Sequence, residues 1–178
     1  MRAFGSVSAG DELPELRRVV TREDVKAYAD AGGDQNPLHQ RDDVARAAGF
    51  EGIIAHGMFT MGHMAACVVA WAGEPDAVMT ISAQFRAPVS MGQELVAGGR
   101  VRSIDEGART ATLDLWVRSE RDGATEWPIK RGDATVRLAD AGLGAAAGDR
   151  AATTAAPRKG GGDAAFGTFQ TGHTPGSG

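Results

Sequence analysis

From residue 79 the chain alternates apolar and polar positions. Met79, Ile81, Ala83, Phe85 and Ala87 interleave with Thr80, Ser82, Gln84 and Arg86. This period of two predicts a half-buried strand closed by Pro88. Ala111, Leu113, Leu115 and Val117 alternate in the same way with Thr112, Asp114, Trp116 and Arg118, and Ala134, Val136 and Leu138 with Thr135 and Arg137. Residues 95–102 predict a weaker strand, softened by Gly98 and Gly99. Asp122-Gly123 has hairpin-turn chemistry. Upstream, residues 16–20 predict one short strand, and then the period lengthens. Val25, Tyr28 and Ala29 share a helical face behind Thr21, whose hydroxyl suits the amide of Asp24 in a Thr-x-x-Asp capping box, and Gly32-Gly33 stops that helix. A second short helix is expected over 42–48, with two aspartates in its first turn and Gly49 at its end.

Residues 58–72 predict a third helix of a different kind. Met58, Met61, Ala65, Val68 and Ala72 mark one stripe, but the other faces are apolar too, so the rest of the fold is expected to enclose it. Strands on short connections pair antiparallel, and their apolar face needs a cover. This helix is the only candidate long enough. The expected class is α+β, an antiparallel sheet wrapped round a central helix. The stretch 52–73 holds 22 residues without Asp, Glu, Lys or Arg, nominally enough to span a bilayer. His56, Gly57, Thr60, Gly62 and His63 interrupt it, so a buried helix is predicted and no membrane association.

Composition sets the outer limits. The chain has 178 residues, 42% hydrophobic and 24% charged, within the globular range. A net charge of −4 argues against a nucleic-acid partner, which would need clustered cations. One cysteine, Cys67, cannot form an internal disulfide, and the start has no apolar core of signal-peptide length. A cytoplasmic location is the expectation. In 141–178, 20 of 38 residues are Gly or Ala, and only Leu143 is a larger aliphatic. Such a segment buries too little to offset its chain entropy, so the domain is expected to span 1–140 and the remainder to be a disordered tail. Phe166 and Phe169 in that tail read as an idle segment or a short docking motif.

The candidate chemistry sits between the first two helices, in Gly33-Asp34-Gln35-Asn36-Pro37-Leu38-His39. A carboxylate and an imidazole lie five residues apart on a loop stiffened by Pro37. Such a pair suits proton transfer near neutral pH. The same residues also read as ordinary turn formers with a surface histidine. A second segment, Ile53-Ile54-Ala55-His56-Gly57-Met58, opens the third helix. Its free amides favour developing negative charge, and Gly57 permits close approach. Other chemistries lack their patterns. His39, His56 and His63 have no zinc-ligand spacing; Asp34-x-Asn36 lacks the later calcium ligands. There is no nucleophile elbow, and Gly-x-Gly-x-x-Gly is absent. Cys67 lies among Ala65, Ala66, Val68 and Val69 and reads as a buried, inert thiol.

Together the two segments resemble a family. Tyr28-Ala29, then Gly33-Asp34-x-Asn36-Pro37-x-His39, then Ala55-His56-Gly57-Met58 after a 16-residue gap from His39 to His56, look like the MaoC-like hydratases and dehydratases. The likeness runs from Asp11 to Leu138. Gly10-Asp11-Glu12-Leu13-Pro14, Thr60-Met61-Gly62 and Trp71-x-Gly73 look like the catalytic subunits of actinobacterial fatty-acid-elongation dehydratases. The resemblance implies a single hot-dog fold and reversible hydration of a trans-2-enoyl thioester to a (3R)-3-hydroxyacyl thioester. It implies Asp34 and His39 as the catalytic dyad, and Gly57, Asn36 and His56 as substrate-binding residues. Gly57 N–H would hold the thioester oxygen, and Asn36 would support the loop. It implies no metal or redox cofactor, an acyl-CoA or acyl-ACP substrate, and a homodimer or a heterodimer with a second hot-dog subunit. Some relatives carry a serine eight residues after the glycine, where this chain has Ala65. Rival readings in the same fold are a non-catalytic subunit and a thioesterase.

Overall fold

A computed structural model describes residues 1–121 and 123–140. The expected tail, with Phe166 and Phe169, lies outside the described residues, as does Asp122 of the expected turn. Gly123 beside it has the positive φ, 78°, that such a turn requires.

The strands are β1 (Glu12–Val19), β2 (Val78–Phe85), β3 (Glu94–Asp105), β4 (Thr110–Arg121) and β5 (Ala124–Arg137). They form one five-stranded sheet in the order β1-β3-β4-β5-β2, every neighbouring pair antiparallel. The helices are α1 (Arg22–Gly32), α2 (Asp42–Ala47) and α3 (Gly57–Ala72). α3 packs on the sheet and meets all five strands. Its Met64, Cys67, Val68, Trp71 and Ala72 are buried against Leu95, Ala97, Leu113, Leu115, Ile129, Ala134 and Val136. Each buried Leu, Ile, Val or Met side chain among them stabilises the fold by about 1.5–3 kcal/mol. The α+β class with a sheet about a helix is therefore the observed one.

β1 and β5 begin well before their patterns suggest. β1 begins four residues before the expected start. Pro14 and a register shift between Leu13 and Leu16 break its alternation, which an edge strand tolerates. β5 begins ten residues before Ala134 and contains Pro128, although it lies between β4 and β2. Register shifts on both neighbours absorb the proline, and the Pro128 carbonyl accepts from the Arg86 amide at 2.8 Å. α1 starts as expected: the Thr21 hydroxyl accepts from the Asp24 amide, and the Asp24 carboxylate accepts from the Thr21 amide. Gly33, at φ 72°, ends it.

One expectation is corrected. α3 is enclosed on the sheet side only: Met58 is 54% exposed, and Gly62, Ala66 and Ala70 also face outward. A single sheet covers one side of a helix, so the apolar outer stripe has no cover within the described residues.

His63, inside α3, is buried and donates from Nε2 to the Leu16 carbonyl at 3.0 Å. Burial pushes its pKa below the ordinary 6.5, outweighing the carbonyl. The unfolded chain therefore takes up this proton first. The stability so contributed is complete above about pH 6.5 and is lost as pH falls through 6.5 toward the folded value. His63→Gln is expected to flatten that loss, measured as urea midpoints from about pH 8 to about pH 5. An unchanged slope would assign the loss to other groups.

Candidate active site

The loop after α1 is held by its own side chains. Asp34 Oδ1 accepts from the Asn36 amide at 3.2 Å, and Asn36 Oδ1 accepts from the Leu38 amide at 3.1 Å, capping a 3₁₀ turn over Pro37–His39. Gln35 Nε2 ties the loop back to the Ala29 carbonyl of α1. The turn-forming reading of Asp34 and Asn36 is thus correct at this level. Because Oδ1 does that work, Oδ2 of the exposed Asp34 is left for another partner.

His39 is half-buried. Its Nδ1 lies 2.7 Å from the Ile54 carbonyl. A carbonyl only accepts, so Nδ1 carries the hydrogen and Nε2 is the free nitrogen. Ile54 belongs to the segment that leads into α3, and its own amide donates to the Leu38 carbonyl. The two segments singled out in the sequence are therefore hydrogen-bonded to each other.

His56 is the N-cap residue of α3 and only 2% exposed. Its Nε2 lies 3.1 Å from the Asp34 main-chain carbonyl and 4.0 Å from Asp34 Oδ2. Its ring stacks on His39 at 3.8 Å between centroids, 31° between planes, and Tyr28 of α1 packs on it at 4.9 Å. One polar atom each of Asp34, His39 and His56 falls within 4.8 Å of the others. His56 Nδ1 is buried with no partner among the described residues. Such an atom costs about 1–3 kcal/mol.

The three residues are close enough to consider for a metal ion. One nitrogen of each histidine is engaged by a carbonyl, which leaves His39 Nε2 and His56 Nδ1 as the other ring nitrogens. His63 is held apart, its Nε2 bonded to the Leu16 carbonyl of β1. Gly57 follows His56 as the first residue of α3, and its amide is among those a helix leaves without an intrahelical acceptor. A Cβ there would lie 3.5 Å from the Phe85 ring of β2. Cys67 is buried, and burial pushes its thiol pKa up, away from nucleophile chemistry.

Arg100 and Arg102 both pair with Asp114 on the sheet. That is the arrangement of a solvated strand face. Nothing in the local pattern signals the Tyr28–His56–His39 stack, since its three rings come from separate elements of the chain.

Residues 7–118 match the family described as "MaoC like domain". The chain belongs to the MaoC-like family. Among relatives, it is 40% identical over 111 residues to a mitochondrial 3-hydroxyacyl-[acyl-carrier-protein] dehydratase of Arabidopsis thaliana, covering 58% of this chain and 64% of that one. It is 31% identical over 95 residues to an (R)-specific enoyl-CoA hydratase of Rhodospirillum rubrum, covering 53% and 65%. This MaoC-like chain thus covers less than two thirds of the length of these relatives. A solved structure titled "MaoC-like dehydratase" superposes with a TM-score of 0.72 at 33% identity, covering 78% of this chain and 42% of that one. The hot-dog architecture expected from the motifs is the one found. No helix among the described residues is long and apolar enough to cross a membrane.

Proposed function

We propose that this chain is a hydro-lyase acting on acyl thioesters, interconverting a (3R)-3-hydroxyacyl thioester with a trans-2-enoyl thioester and water, in a cytoplasmic setting. The observation that carries the reading is the meeting of Asp34 and His39, one on an exposed loop and one half-buried, beside the opening of α3. The dehydratase and hydratase names of the two relatives supply the reaction class.

In the hydration direction Asp34 Oδ2 takes a proton from the water that attacks the β carbon. His39, as imidazolium, delivers a proton from Nε2 to the α carbon. Dehydration reverses both transfers. The Ile54 carbonyl holds Nδ1–H in either state, so Nε2 is the working nitrogen throughout. The Gly57 amide is suited to the thioester oxygen as it becomes enolate-like, a contribution worth about 3–4 kcal/mol in comparable sites. Asn36 keeps the loop in shape. The substrate's handle is CoA or an acyl carrier protein.

The test is purified protein with crotonyl-CoA. Loss of the enoyl absorbance without free thiol is expected. Free thiol would mean thioester hydrolysis, and no change would mean a binding subunit; either would overturn the proposal.

We further propose that a second hot-dog subunit, a copy or a distinct partner, covers the open side. β2 is an edge strand, and Met58 of α3 and Met79 and Phe85 of β2 stand 54%, 51% and 47% exposed, with the Phe85 ring against Gly57 at the start of α3. An apolar group of this kind beside the candidate site marks an interface. For a homodimer, light scattering is expected to give twice 18.4 kDa, and Met79→Glu to shift the mass toward one chain with activity falling in step. A heterodimer would show as activity gained only with the partner. A single-chain mass with full activity would refute both.

A further inference from the structure

We propose that His56 is a positioning residue that acts through both members of the dyad and makes no contact with substrate. The inference rests on the functional reading above and assigns His56 a different task from the substrate-binding one its motif implies. Three observations carry it.

The first is the hydrogen bond to main chain. A carbonyl accepts only, so the 3.1 Å contact from Nε2 to the Asp34 carbonyl fixes the tautomer with hydrogen on Nε2. Asp34 sits on an exposed loop, and its side chain is held within the loop only through Oδ1 and Asn36. The His56 bond is what ties that loop residue to the N-terminus of α3.

The second is the stack. Phe59 meets the Tyr28 ring edge-on at 5.9 Å, Tyr28 packs on His56 at 4.9 Å, and His56 backs His39 at 3.8 Å. His39 is thereby held at its ring face by His56 and at its Nδ1 by Ile54. Rotation of the His39 ring would require both supports to give way.

The third is the unpartnered Nδ1. A histidine kept only to fill space would be better replaced by an apolar ring, which removes a buried, unsatisfied nitrogen. A polar group retained at a local cost is characteristic of a functional site. With 2% exposure, His56 has no surface to offer a ligand in this chain.

The chemistry predicts separable effects. His56→Phe keeps a ring for the stack and deletes the Nε2 donor. His56→Gln places an amide donor near the Nε2 position without the ring. Misplacing a reacting group by a fraction of an ångström to an ångström lowers turnover by roughly tenfold to a hundredfold. For His56→Phe we therefore expect kcat for crotonyl-CoA to fall by roughly that factor, with KM within about threefold of the parent. The urea midpoint should stay level or rise, because the orphan nitrogen is gone and Asp34 lies on an exposed loop where water can replace the lost donor. His56→Gln should recover part of the lost kcat, since it restores the donor to the Asp34 carbonyl without the ring that backs His39. A raised KM with kcat retained would mean substrate contact. A lowered midpoint with kcat retained would mean a structural role. Failure of Gln to do better than Phe would discard the donor. Each of these overturns the proposal. Imidazole nitrogen NMR of the unmodified chain gives a readout independent of activity: the Nε2–H tautomer at His56 is expected. Finding Nδ1–H would overturn the proposal whether or not the chain hydrates crotonyl-CoA. Absence of hydration with the Nε2–H tautomer in place would fault the functional reading alone.

Discussion

Asp34→Asn and His39→Gln are each expected to lower turnover on a trans-2-enoyl thioester by roughly 10²–10⁴-fold while the folding transition stays in place. The substitutions are chosen so that the local hydrogen bonds survive. Asparagine keeps an oxygen at Oδ1 to accept from the Asn36 amide, so the turn should persist while Oδ2, the proposed proton acceptor, is lost. Glutamine at 39 retains an amide hydrogen donor but cannot act as acid and base near neutral pH. The 3₁₀ turn over Pro37–His39 is capped by Asn36, and neither substitution touches that cap. The measurement is the initial rate of enoyl absorbance loss for each variant, with a urea transition run alongside. Near-parental rates in both variants would remove Asp34 and His39 from the chemistry. A large rate loss accompanied by a lower midpoint would show that the side chains were holding the loop.

The parts of this site that the sequence displayed are those whose cause is local. Asp34, Asn36, Pro37 and His39 share one turn, and the turn's hydrogen bonds run between residues two apart. The alternation in β4 and the capping box of α1 are equally short-range and are found where their patterns placed them, whereas β2 ends at Phe85, two residues before Ala87, and leaves Met79 and Phe85 exposed. What the pattern left out depends on contacts across the chain. The tautomer of His39 is set by Ile54, fifteen residues away, and that of His56 by Asp34, twenty-two residues away. The first half of β5 was hidden because Pro128 and Gly132 are poor strand residues in isolation, and bulges in both neighbouring strands admit them. The open stripe on α3 was hidden for a further reason. An all-apolar helix demands cover, but its sequence does not specify whether the cover comes from its own chain.

Gly99 is the clearest case of a residue whose importance reverses once the strands are paired. By propensity it weakens β3. In the sheet it lies opposite Leu115 of β4, and a Cβ there would sit 2.5 Å from the Asp114 carbonyl oxygen and 2.7 Å from Leu115 Cδ2. The nearest obstacle is backbone of a central strand, which cannot swing aside. Gly98, next to it, presents a different problem, since its Cβ would meet the Trp116 indole, a side chain that can move. Gly99→Ala is therefore expected to cost about 1–3 kcal/mol through overpacking, seen as a lower urea midpoint at unchanged slope. Gly99→Val, with two further carbons in the same space, is expected to exceed that range and to abolish the cooperative transition. Gly5, which has nothing within 4 Å of an added Cβ, is the control: Gly5→Ala should leave the midpoint within about 0.5 kcal/mol of the parent. Because β3 joins β1 to β4, and α3 rests on all three, activity should disappear with the fold in Gly99→Val. A folded, active Gly99→Val chain would mean that β3 and β4 can separate locally, and would refute close backbone approach as the reason for glycine at this position.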